Sequence, residues 1–159
     1  MRWDAFTRSC PEIAELAEVR FRADDLVLLG TIRADGSARI SPCEVDFAVG
    51  RLFLGMMWRS KKALDLQRDP RVAVHSVPSD RMNAGGDVKL YGRVVDEPDP
   101  DVRAAFRTAI LARIDWAPDE PEYHLFSLDV EQAGYTVFGD GSYALSWTPA
   151  SGLRRLTLH

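Results

Sequence analysis

Lysine is the scarcest charged residue of this chain: it occurs only at Lys61, Lys62 and Lys89, against a total of 20 basic residues. Cysteine is rarer still, with Cys10 and Cys43 alone, no CxxC and no histidines at ligand spacing. That excludes a disulfide framework and a zinc site, and makes thiol redox chemistry an unpromising reading. No apolar run approaches the ~20 residues of a membrane-crossing helix, so no membrane role is expected. Asp4, Glu12, Glu15 and Glu18 stand where a secretory signal needs an apolar stretch, and the expected location is the cytoplasm. A net charge of -4 argues against nucleic-acid binding by general phosphate attraction. What the chain does have is 46% hydrophobic residues over 159 positions, enough for a single domain, 1–159, with a real core.

Periodicity orders that domain. Pro11 suits a first helical turn, and Ile13, Leu16 and Ala17 form an apolar stripe, predicting an N-terminal helix over about 11–22. Residues 26–33 are β-rich and almost continuously apolar, which predicts a strand buried on both faces. Asp35-Gly36 turns the chain into a second strand, 38–47, in which Pro42 marks an edge, a bulge or a place beside something other than backbone. A third strand, 51–57, leads to a short helix opening at Ser60 and stopped by Asp69-Pro70. Residues 72–77 form another strand and 78–87 a loop. In 88–95, Val88, Leu90, Gly92 and Val94 alternate with Lys89, Tyr91 and Arg93, so one face is wet or touches a ligand. Asp99-Pro100 caps a helix with Val102, Phe106 and Ile110 buried, and strands at 123–138 and 142–147 close the chain. Short strands joined by tight turns predict a mainly β fold, an antiparallel barrel with peripheral helices.

The strongest local feature is the helix opening at Ser60-Lys61-Lys62. A helix N-terminus carries unpaired N–H groups and about half a positive charge, so two ammonium groups in its first turn are misplaced unless an anion joins them. A solvated basic patch explains the same residues equally well. His75 and His124 read as structural, because no carboxylate or nucleophile stands at a supporting spacing.

Residues 31–42, 51–57, 60–74 and 89–93 together resemble the pyridoxamine 5'-phosphate oxidase-like superfamily, the flavin and deazaflavin split-barrel oxidoreductases. The most specific piece is Ser60-Lys61-Lys62-Ala63 followed by Arg68-Asp69-Pro70-Arg71. The resemblance implies a six-stranded antiparallel split β-barrel, a homodimer, and FMN in a groove between subunits exchanging hydride with an unidentified small-molecule substrate. It implies that Ser60, Lys61 and Lys62 hold the cofactor phosphate. It also points to Arg39, Ile40, Ser41 and Pro42 along the isoalloxazine and Met56 and Met57 near the ring or ribityl chain, and to Lys89 reaching the cofactor groove. The methionines serve as well for core filling, Lys89 as well for a solvated sheet face. Trp147 either covers the flavin from the partner subunit or plugs the barrel end. Gly55-Met56 replaces the family's usual Tyr-Thr pair, and the Arg- and His-bearing substrate motif of true pyridoxamine phosphate oxidases has no counterpart after Trp147. Two alternatives follow: the deazaflavin coenzyme F420 in place of FMN, or a protein that binds flavin or haem without turnover.

Overall fold

A computed structural model describes every residue except Ser79, Asn83, Asp140 and His159; of the expected 78–87 loop, Ser79 and Asn83 therefore lie outside the described residues. The chain runs α1 (Trp3–Ser9), α2 (Pro11–Asp24), β1 (Leu26–Ile32), β2 (Ala38–Ala48), β3 (Arg51–Met57), α3 (Lys61–Arg68), β4 (Arg71–Ser76), β5 (Asp87–Asp96), α4 (Pro100–Ile114), β6 (Tyr123–Val137), β7 (Tyr143–Thr148) and β8 (Gly152–Thr157). The strands form one antiparallel sheet in the order β3-β2-β1-β4-β5-β6-β7-β8. A further pairing of β3 with β6, from Phe53↔Ser127 to Met57↔Tyr123, closes the first six strands into a barrel. Closure leaves those six strands without a free sheet edge along the paired stretch, and β7 and β8 extend from the far half of β6. The architecture is mainly β, a closed six-stranded antiparallel barrel with four peripheral helices.

The helices fit their signals. Pro11 opens α2, which ends on Asp25 in the left-handed region, φ 55°. Asp99 caps α4, its carboxylate accepting from the Asp101 N–H at 2.9 Å, worth about 1 kcal/mol. Phe106 of α4 lies 2% exposed against Phe53, ring centroids 5.5 Å apart, and Phe106, Ile110, Tyr123 and Leu125 form a core cluster beneath that helix. Each such side chain contributes roughly 1.5–3 kcal/mol by leaving water. In β5 the alternation holds: Val88, Leu90, Gly92 and Val94 are buried while Tyr91 and Arg93 are exposed. Gly92 sits where the β5–β6 register shifts, and a Cβ there would meet the Asp129 carbonyl oxygen at 1.9 Å.

Three expectations need correction. An additional helix, α1, precedes the expected one; its Trp3 and Phe6 are buried and Phe6 packs edge-on to Trp147 at 5.0 Å. An additional strand, β8, follows β7, held by backbone pairing although all six of its residues are exposed. Strand β1 is buried on one face only: Val27, Leu29 and Thr31 point inward, whereas Leu26 is exposed and Leu28, Gly30 and Ile32 are half-buried.

Candidate functional site

The barrel splits at the end of β3. Strand β2 keeps its β1 partner through Leu28↔Pro42, but its pairing with β3 stops at Glu44↔Gly55. Beyond that point β3 belongs to β6, with Met56↔His124 and Met57↔Tyr123. Pro42 has no N–H to offer another strand, so it suits the β2 edge that β3 abandons. The Cys43 thiol donates across the same gap to the Gly55 carbonyl at 3.2 Å, and burial pushes that thiol up to about 12 despite the Lys62 charge. A groove of about 750 Å³ opens here, lined among others by Pro42, Met56, Met57, Trp58, Lys62 and Trp116. Its wall is largely apolar, as a flat aromatic ligand requires, with Lys62 at one end and the carboxylates Glu44, Asp119 and Glu122 also on its lining.

The cation end is the start of α3. Ser60 occupies the cap position with φ -58° and ψ 147°, yet its hydroxyl makes no capping bond. Ser60 Oγ is buried and has no hydrogen-bond partner among the described residues. A buried polar atom left unpaired costs about 1–3 kcal/mol, so this is a position that a ligand atom would relieve. No acidic residue stands in the first turn, Lys61 is exposed, and the Lys62 ammonium donates to the Pro42 carbonyl, tying the helix start to the β2 edge. A hydroxyl, free helix N–H groups and two ammonium groups together match the donor set of a phosphate monoester.

The remaining expected residues fall into three groups. Pro42, Met56, Met57 and Lys62 line one groove, although Met56 is mostly in the core at 4% exposure while Met57 is 81% exposed. Ile40, 75% exposed, and half-buried Ser41 precede Pro42 on the same strand. Arg39 is anchored: its Nε donates to Asp65 Oδ2 at 2.7 Å, and Thr31 Oγ1 donates to the same oxygen at 3.0 Å. Asp65 thereby fastens the β1–β2 hairpin to α3, joining the two segments that carry the expected cofactor contacts. Lys89 and Trp147 line neither groove. Lys89 pairs with Asp87 at 2.5 Å, beside His75, and Trp147 is 1% exposed against Phe6 in the core.

A second groove, about 910 Å³, lies between α4 and the start of β6 and shares Trp58 and Tyr123 with the first. The Trp58 indole stacks on the His124 imidazole, 4.6 Å between centroids and 9° from parallel. Burial holds the His124 pKa below its ordinary value, Asp96 opposing and Arg103 adding to the depression. Arg103 makes a two-pronged bond to Glu120, 2.9 Å on each prong, and lies 4.1 Å over the Tyr123 ring. The Arg103 hydrogen bond, outweighing burial, keeps the Glu120 carboxyl below the usual carboxylate range. Trp58, Arg103 and Arg107 were not expected in a site. The two arginines stand four apart on one helix, a spacing readable in advance, whereas Trp58 gains its place only from the pairing of β3 with β6.

Comparison with known proteins accords with this geometry. A family model described as pyridoxamine 5'-phosphate oxidase matches residues 13–137. No curated protein matches. Among solved structures, a pyridoxamine 5'-phosphate oxidase-related, FMN-binding protein of Nostoc punctiforme superposes with TM-score 0.64 at 15% identity, covering 94% of this chain and 96% of that one. PhzG of Burkholderia lata, in complex with tetrahydrophenazine-1-carboxylic acid, gives TM-score 0.64 at 14% identity, covering 95% and 93%. A haem-binding protein of Mycobacterium smegmatis gives 0.59 at 20% identity, covering 89% of this chain and 57% of that one. At such identities the likeness is one of fold.

Proposed function

Because the chain belongs to the pyridoxamine 5'-phosphate oxidase family, we propose that it binds FMN and acts as a flavin-dependent oxidoreductase on a small molecule. The observation that carries the reading is the buried, unpartnered Ser60 Oγ at an α3 start that holds two lysines and no acid. Ser60, Lys61, Lys62 and the first N–H groups of α3 hold the phosphate, and Pro42, Met56 and Met57 supply the apolar wall for the ring system. When bound, the flavin supplies the redox chemistry; the protein's part is to hold and orient it and to keep water from one face. Ile40 and Met57, exposed by 75% and 81%, leave that wall open in a single chain. A second copy of the chain covering it, as a homodimer, completes the groove.

The absorbance spectrum of the purified protein, with the released cofactor identified by mass, tests this reading. A yellow protein releasing FMN is expected. Release of the deazaflavin coenzyme or of haem would reassign the groove, and a colourless protein that takes up none of the three would end the reading.

A further inference from the structure

The groove between α4 and β6 holds two buried polar atoms without hydrogen-bond partners among the described residues, Arg107 Nη1 and His124 Nε2. His124 is 6% exposed and lies between two rings, Trp58 at 4.6 Å and Phe126 at 6.1 Å, both within 11° of parallel. A buried polar atom without a partner costs about 1–3 kcal/mol, and the Arg107 N–H, joined by the His124 ring in its Nε2–H tautomer, forms a donor set that an entering acceptor would satisfy. The other charges of the groove are Arg103, Glu120 and Asp96. Arg103 and Glu120 neutralise one another through their paired bonds. Arg107 forms no ion pair among the described residues and is the cation left to meet a ligand, although its charge also acts on Glu120, and Asp96 repels an anion in proportion to its charge.

We propose that this groove binds a small planar monocarboxylate, with Arg107 as counter-charge, His124 as second donor and Trp58 as the stacking face. A phosphate monoester, carrying about -1.5 to -2 at neutral pH, exceeds the one free cation and meets Asp96. Trp58 keeps 56% of its surface in solvent although it stacks on His124, so it has area to give to a ligand ring. Resting on the flavin reading, the ligand is the substrate, because Trp58 and Tyr123 line both grooves and bring it beside the cofactor.

Calorimetric titration of the full chain with benzoate, benzamide and phenyl phosphate tests the proposal, with the His124 ring followed by NMR. Benzoate is expected to bind and to shift the His124 resonances, benzamide to bind at least about tenfold more weakly, and phenyl phosphate more weakly than benzoate. Arg107→Gln is expected to weaken benzoate at least about tenfold and Arg107→Lys to recover part of the loss. Equal binding of benzoate and benzamide, undiminished binding by Arg107→Gln, or a silent His124 would overturn the assignment. Titration of the parent chain free of flavin and after saturation with FMN separates the two readings. Benzoate is expected to bind the flavin-free chain whether or not FMN is taken up, and failure to bind it would show that the second groove is not a site of its own.

Discussion

Replacing Asp65 by alanine is expected to remove about 3–5 kcal/mol of stability. The carboxylate is 4% exposed and accepts from Thr31 Oγ1 at 3.0 Å, Arg39 Nε at 2.7 Å and Arg68 Nη2 at 3.4 Å. Without it the Thr31 hydroxyl, itself 2% exposed, has no acceptor, a loss of about 1–3 kcal/mol. Breaking a fully buried ion pair costs about 3–5 kcal/mol, but the Arg39 side chain is 21% exposed and regains water, which leaves about 2 kcal/mol from that source. Asp65→Asn keeps an acceptor and loses only charge, for about 1.5–2 kcal/mol. For a domain of this size the alanine variant should melt about 6–20 °C lower, and urea titration should show a lower midpoint with an unchanged slope. The pH dependence has a definite sign. Burial pushes the Asp65 carboxyl up, but hydrogen bonds from Arg39 and Thr31 and the Arg39 charge outweigh it and hold the group below its ordinary value. A depressed folded value means that the stabilisation is present above the ordinary carboxylate range and is lost as pH falls through the folded value, so parent and variant converge in acid. Because Asp65 joins the β1–β2 hairpin to α3, flavin affinity should fall with stability. An alanine variant within about 0.5 kcal/mol of the parent at neutral pH would refute the reasoning.

Two other outcomes test the frame around the site. Gly92→Ala places a Cβ 1.9 Å from the Asp129 carbonyl oxygen, backbone that cannot swing aside, so it should cost at least about 3 kcal/mol and show as a large drop in melting temperature or as insoluble expression. Cys10 and Cys43 are 1% and 2% exposed, and burial raises both thiols, so Ellman's reagent at pH 8 should find no fast-reacting thiol in the native protein and both after denaturation; rapid native reaction would place one of them at the surface.

The β5 alternation and the Asp99-Pro100 cap were legible in the sequence because each is a local signal, set by neighbours two to four residues away. Strand β8 was not, since Gly152–Thr157 is exposed throughout and owes its shape to backbone pairing with β7 and to the Arg155–Glu12 ion pair, contacts made only in the folded chain. Helix α1 is seven residues long, too short to display a period. The apolar run of β1 concealed a half-open face, because composition cannot tell a buried second face from one that a partner would cover. At the site, the misplaced charges of Lys61 and Lys62 were readable from helix electrostatics. The stranded Ser60 hydroxyl, the Lys62–Pro42 tie and the Arg39–Asp65 pair, 26 residues apart, arise only when the barrel closes.

The claim that a phosphate sits on Ser60, Lys61 and Lys62 is tested most directly by comparing FMN with riboflavin, which differ in that group alone, on the parent and on the Lys61→Ala, Lys62→Ala protein by fluorescence titration. The parent should prefer FMN by at least about tenfold, or about 1.4 kcal/mol. In the double variant that preference should collapse while riboflavin affinity stays as it was. Equal affinities in the parent, or a preference that survives the loss of both lysines, would contradict the account.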